Sequence, residues 1–216
     1  GIKLITIWED DWNYKQDIVK SIILNALNKT PNKIYARKCE IKEVKNTKEF
    51  LNNNHIQGWC QSSINLGLFY NDELVSLMTF GKKRKILGQT PSENEYELLR
   101  FCSKINTNVV GGASKLFNYF IKTYNPDKVV SYANCDISNG KTYEILKFEN
   151  KGNTKINYWW AKERRFHRSN FMKHKLIKEG FDKNKTEDEI MRERGFYKIY
   201  GTGNIKYEWI KIRNAN

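Results

Sequence analysis

Residues 112–124 carry an apolar stripe that only a helix can present to a core. Ala113, Leu116, Phe117, Phe120, Ile121 and Tyr124 fall at i, i+3, i+4, i+7, i+8 and i+11, the spacing of one face of a 3.6-residue turn. Asn125-Pro126 ends the pattern, because proline cannot continue a helix. Strand-like runs stand on either side: 95–103 (EYELLRFCS) before it and 128–133 (KVVSYA) after it. A helix with one apolar face set between two such runs has to lie against a sheet.

The other segments extend this pattern. Residues 2–8 predict a buried strand and 16–27 a helix, with Asn28-Lys29-Thr30-Pro31-Asn32 as a boundary. Residues 33–44 predict a strand, and Thr47 is placed to cap a short helix over 48–53. Residues 64–70 and 73–81 predict a hairpin turning at Asn71-Asp72. A short helix follows over 140–147. Strands over 155–161 and 197–212 close the order, the latter a hairpin around Gly201-Thr202-Gly203-Asn204. Between them, 162–195 predicts a helical insertion. Its first helix ends near Gly180; its second starts at Thr186, with Glu189 completing a capping box, and stops at Gly195. The expected fold is α+β: a mixed, mostly antiparallel sheet flanked by helices, with a basic helical insertion before the last strands. Residues 1–31 form one segment and 32–216 the main domain.

Charge narrows the partners. The chain carries 38 Lys and Arg against 24 Asp and Glu, a net +14. Residues 1–31 balance four bases (Lys3, Lys15, Lys20, Lys29) against four acids (Glu9, Asp10, Asp11, Asp17), so the excess lies in 32–216. An excess of one sign points to a polyanion. Arg164, Arg165, Arg168, Lys173, Lys175 and Lys178 stand in a run without acids, interleaved with Phe166, Phe171, Met172, Leu176 and Ile177. That pattern predicts an amphipathic helix with its basic face outward for phosphates of double-stranded DNA. Lys82, Lys83, Arg84 and Lys85 form a second run; either run also serves as a plain solvated face. No apolar run approaches a membrane span. Cys39, Cys60, Cys102 and Cys135 are scattered and form no CxxC pair, which argues for a reducing, cytoplasmic setting without a structural metal.

Asn108-Val109-Val110-Gly111-Gly112-Ala113 sits after a strand and opens the helix over 112–124. Small residues there let backbone N–H groups approach an anion, and the helix N-terminus adds a positive dipole end; a tight turn without ligand has the same appearance. The element order and this motif resemble the GNAT acyltransferase fold over about 33–212. The resemblance implies that strands 95–103 and 128–133 splay apart. It also implies that Asn108, Gly111, Gly112 and Ala113 cradle the pyrophosphate of acetyl-CoA or another acyl donor. Asn108 stands where that family has Arg or Gln. Glu97-Leu98-Leu99-Arg100-Phe101, Val130-Ser131-Tyr132-Ala133, Asn139-Gly140 and Tyr143 further resemble the Mom-type, DNA-modifying GNAT proteins of phages. They look still more like the C-terminal region of phage homing endonucleases that carry a Vsr-like nuclease domain. On that resemblance residues 1–31 are the tail of a nuclease domain whose upstream remainder was lost or belongs to another chain, and no nuclease activity is expected of this chain alone.

Three residues are candidates for proton transfer. Histidine ordinarily titrates near neutrality, and His55 follows the first helix of the main domain, where such folds line the acceptor site. Asp136 lies two residues beyond Asn134, the position at which the Mom-like pattern has Asp. Tyr143 matches the tyrosine that GNAT enzymes use as general acid toward the leaving thiolate. Trp59, Trp159 and Trp160 are candidates to stack on a flipped base. The leading expectation is a DNA-binding, nucleobase-modifying acyltransferase or a catalytically weakened relative. The alternatives are a non-enzymatic DNA-targeting module and an ordinary N-acetyltransferase using acetyl-CoA.

Overall fold

The structure, a computed structural model, describes residues 4–82 and 94–212. The N-terminal segment is two helices, Glu9–Tyr14 (α1) and Gln16–Ala26 (α2), and residues 4–8 are not the expected strand. Glu9, Asp10 and Asp11 crowd the first turn of α1, where the positive end of a helix favours acids. The expected strand over 33–44 is broken. Asn32–Tyr35 (β1) leads into a 3-10 turn, Ala36–Lys38, before Glu40–Glu43 (β2). The break tucks Ala36 and Cys39 into the core. Lys48–Asn54 (α3) opens with the Asn46 side chain accepting from the Lys48 amide at 3.2 Å; Thr47 is buried and does not cap.

Ile64–Tyr70 (β3) and Glu73–Lys82 (β4) make the predicted hairpin. Asn71 and Asp72 both take positive φ, 49° and 61°, as a tight two-residue turn requires. Next come Glu95–Ser103 (β5), Thr107–Val110 (β6), Gly112–Tyr124 (α4), Lys128–Asn134 (β7), Lys141–Ile145 (α5) and Glu149–Asn153 (β8). The main sheet has seven strands in the order β2-β3-β4-β5-β7, then the last strand of the chain, then β8. All its neighbours are antiparallel except β5 and β7. Helix α4 covers one face, as its stripe predicts. Leu116, Phe117 and Phe120 are fully buried, and Phe120 stacks on Phe80 with ring centroids 3.7 Å apart.

The insertion folds otherwise than expected. Tyr158–Ala161 (β9) and Arg165–His167 (β10) precede the short helices Lys173–Lys178 (α6) and Glu187–Glu193 (α7). Thr186 and Glu189 form the predicted capping box on α7. Residues 164–178 are a strand, a 3-10 turn and one short helix, not a single basic helix. Phe166 and Phe171 are five apart, which a helix would place on different faces; both pack edge-on or tilted against Phe196. Tyr197–Tyr200 (β11) and Asn204–Ile210 (β12) are not a hairpin. β11 joins β9 and β10 in a three-stranded sheet, while β12 inserts between β7 and β8. A second, smaller core of Trp160, Leu176, Ile190 and Met191 holds this sheet to its helices.

Candidate active site

The parallel pairing of β5 with β7 lasts three residues, Glu95↔Lys128 to Glu97↔Val130, and then stops. Beyond it the strands part, and side chains replace the ladder. Ser131 Oγ bonds the Leu98 carbonyl at 2.8 Å and lies 2.9 Å from the Tyr143 hydroxyl. A carbonyl only accepts, so the single proton of Ser131 goes to Leu98 and the Tyr143 hydroxyl donates to Ser131. Tyr143 stacks on Tyr207, centroids 4.7 Å apart. Gly140, at φ 80°, caps α5 immediately before it. A Cβ at Gly140 would collide with the Tyr207 hydroxyl, so glycine is required on two counts. Burial raises the pKa of Tyr143, and the phenol keeps its proton at neutral pH.

A cavity of about 180 Å³ opens at this parting, lined by Met78, Leu98, Arg100, Ala133, Tyr143 and His55 among others. A larger cavity of about 500 Å³ adjoins it, walled by the N-terminal segment, the insertion and the 201–204 crossing. Ile56, Gln57, Arg100, Asn134 and Ile137 line both. His55 and Tyr143 therefore share one cavity, while Asp136 lines the other.

His55 is there in a form that does not suit a general base. Burial, then the charges of Arg100 and Lys15, pull its pKa down to about 3. Its Nδ1 accepts from the Gln57 amide at 3.1 Å, so the neutral ring carries its proton on Nε2 and is a donor there. Asp136 is buried. Its carboxylate accepts from Trp8 Nε1 (3.1 Å) and Thr202 Oγ1 (2.7 Å), and its carbonyl from the Thr6 amide (2.8 Å). The N-terminal segment is thus fastened to the main sheet at Asp136.

The glycine motif lies elsewhere. Gly111 is an exposed N-cap at φ 78°, with no side chain capping the 13-residue α4. Gly112 is buried, and a Cβ there would come within 3.1 Å of Val109. Residues 107–110 are themselves a strand. β1 runs parallel beside it, Lys33 opposite Asn108, and Lys115 Nζ binds the carbonyls of Ala36 (2.9 Å) and Cys39. Gly111, Gly112 and Ala113 line neither cavity described above.

Of the basic residues, Lys82 bonds the Tyr96 hydroxyl at 3.0 Å, and Lys83, Arg84 and Lys85 lie outside the described residues. Arg164, Arg168, Lys173, Lys175 and Lys178 are exposed. Arg165 differs. Its Nε lies 2.8 Å from Asp10 Oδ1 and its Nη2 2.5 Å from Asp11 Oδ2, with the guanidinium against the Trp8 and Trp159 rings. This ion pair uses up the face expected to meet a phosphate. It also takes up two of the contiguous acids. Trp160 is fully buried and cannot stack on a base; Trp59 is exposed and Trp159 half-buried. Sequence reasoning gave no role to Arg100 or Ser131. Each is a polar residue interrupting an apolar run, Leu98-Leu99 and Phe101-Cys102 around Arg100 and Val129-Val130 and Tyr132-Ala133 around Ser131.

No family model matches the chain, nor does any curated protein. Among solved structures it is similar to a Bacillus subtilis acetyltransferase in complex with CoA, at 12% identity over 81% of this chain and 100% of that one, TM-score 0.44. An N-acetyltransferase from Staphylococcus aureus matches at 13% identity over 80% and 98%, TM-score 0.43. A GNAT family acetyltransferase from Elizabethkingia anophelis with acetyl-CoA bound matches at 13% over 81% and 99%, TM-score 0.42.

Proposed function

We propose that this chain transfers an acyl group from a thioester donor of the coenzyme A type to an amine. The observation that carries this is the parting of β5 from β7, with a protonated Tyr143 at its floor and a cavity above it. The donor supplies an activated carbonyl carbon. The uncapped amides at the start of α4, reached through Gly111, Gly112 and Ala113 with Asn108 beside them, suit its phosphates. Tyr143 turns its hydroxyl from Ser131 and gives its proton to the departing sulfur. The ammonium first loses one proton to water; the neutral amine then forms the N–C bond as the C–S bond breaks, its second proton also goes to water, and Tyr143 is reprotonated from water. His55 donates from Nε2 and orients; it takes no proton. Calorimetry with acetyl-CoA and thiol release with an amine panel test this. Tyr143→Phe is expected to lower kcat by about 100-fold with donor affinity unchanged. No donor binding, or full activity in Tyr143→Phe, would overturn the assignment.

A second proposal keeps the polyanion. Arg164, Arg168, Lys173, Lys175 and Lys178 are exposed, and none is in an ion pair among the described residues. If they meet DNA phosphates, log K falls with log salt by about 0.9 per phosphate. Arg164→Ala/Arg168→Ala/Lys173→Ala then flattens the slope by about 2.7. An unchanged slope in fluorescence anisotropy makes these side chains a solvated face only.

A further inference from the structure

Two opposite charges that are buried or half-buried line the larger cavity without a counter-charge within ion-pair distance among the described residues. Arg100 donates from Nε to the Gly58 carbonyl (3.1 Å) and from Nη1 to the Leu99 carbonyl (2.8 Å). Both acceptors are neutral, and among the described residues no carboxylate lies within ion-pair distance of it. Asp136 is the mirror case. It is buried, its donors Trp8 and Thr202 are neutral, and no cation pairs with it among the described residues. The cavity's other carboxylates, Asp10 and Asp11, are matched by Arg165, with Lys15 3.5 Å from Asp11. Lys155 stands exposed at the rim.

A half-buried charge facing only neutral groups is costly, and a ligand of opposite charge relieves it. A simple amine would satisfy Asp136 and leave Arg100 as it is; a simple anion would do the reverse. We infer, building on the acyl-transfer proposal, that the acceptor is a small zwitterion, its ammonium held at Asp136 and its carboxylate or phosphate at Arg100. The arginine fork suits either anion, with Nη2 still unspent. The position of the amine also fits. Asn134 accepts from the Asp136 amide at 2.9 Å, and Asn134 and Ile137 belong to the wall shared with the smaller cavity. An amine at Asp136 therefore lies beside the opening toward Tyr143. A cavity of about 500 Å³ admits a ligand of amino-acid size with room to spare.

The test needs no donor. The full chain is titrated calorimetrically with three zwitterions: neutral α-amino acids, γ-aminobutyrate and 2-aminoethyl phosphate. Matched amines and acids, each lacking one charge, are the controls. At least one zwitterion is expected to bind about tenfold more tightly than either control. The preferred arm tells carboxylate from phosphate. Arg100→Gln should abolish the preference over the amine, and Asp136→Asn the preference over the acid. Arg100→Lys, which keeps the charge but not the fork, should retain part of it, and it substitutes for Arg100→Gln if thermal melting shows that variant unfolded. No binding by any zwitterion at about 10 mM, amines binding as tightly as zwitterions, or a preference that survives in Arg100→Gln would each overturn the inference. Loss of acetyl-CoA binding would instead overturn only the acyl-transfer proposal, because these titrations contain no thioester.

Discussion

Arg165 and Arg100 line the same cavity and have opposite surroundings. Arg165 closes it from the insertion. Its guanidinium spans Asp10 and Asp11, its backbone amide also bonds Asp10 at 3.0 Å, and two indoles cover it. Arg100 sits at the wall between the cavities and meets only carbonyls. A cation that builds the fold and one left without a carboxylate are thus separated by their partners and not by burial, since both are partly buried. The arginine with acids joins two segments about 155 residues apart in sequence. The arginine without them leaves a charge for something else to answer.

The comparison breaks most readily at Arg165. Removing it leaves two carboxylates at about 15% exposure without a guanidinium. Arg165→Ala is expected to cost about 3 kcal/mol, the low end for a buried pair that loses one partner. The urea midpoint measures it. Acid adds a signature. Burial pushes Asp10 up, but the hydrogen bonds and charge of Arg165 outweigh it and hold its pKa below 3.8. A carboxylate depressed in this way contributes its stability above the unfolded value and loses it as pH falls through the folded one. The gap between wild type and Arg165→Ala should therefore be full above about pH 4 and close below it. A gap that persists unchanged into strong acid would mean that Arg165 stabilises through indole packing and not through charge.

Such distinctions were only partly legible in the sequence. The stripe over 112–124, the Asn71-Asp72 turn and the Thr186 capping box are local signals, and each was read correctly because its physics lies within a few residues. The partner of Arg165 is 155 residues away, and nothing in an acid-free run tells which base will be claimed from afar. The Gly201–Asn204 stretch has the composition of a hairpin turn, yet its flanking strands join different sheets. Composition specifies that the chain turns and not which neighbour each strand finds. His55 lines a cavity as a neutral ring, and its protonation is not a local property. Its pKa depends on Arg100, Lys15 and burial, all set by tertiary contact.

That dependence provides the finer test of the comparison. If Arg100 lacks a counter-charge, its field acts on the titratable rings that share its cavity, His55 among them. In the wild type, burial first and then Arg100 and Lys15 hold His55 at about 3, against an ordinary 6.5. Between those values the unfolded chain binds a proton that the folded chain refuses. Stability should therefore fall with acidification across that window, by at most about 1.4 kcal/mol per pH unit. The window lies mostly above the acid range in which the Asp10 pair titrates, so the two effects separate on one pH profile. Arg100→Gln should raise the His55 value while leaving it below 6.5, because burial is the largest cause and remains. The imidazole Cε1–H shift followed against pH by NMR reads this directly. A His55 that titrates identically in wild type and Arg100→Gln would show that the Arg100 charge is already cancelled, and the contrast with Arg165 would disappear.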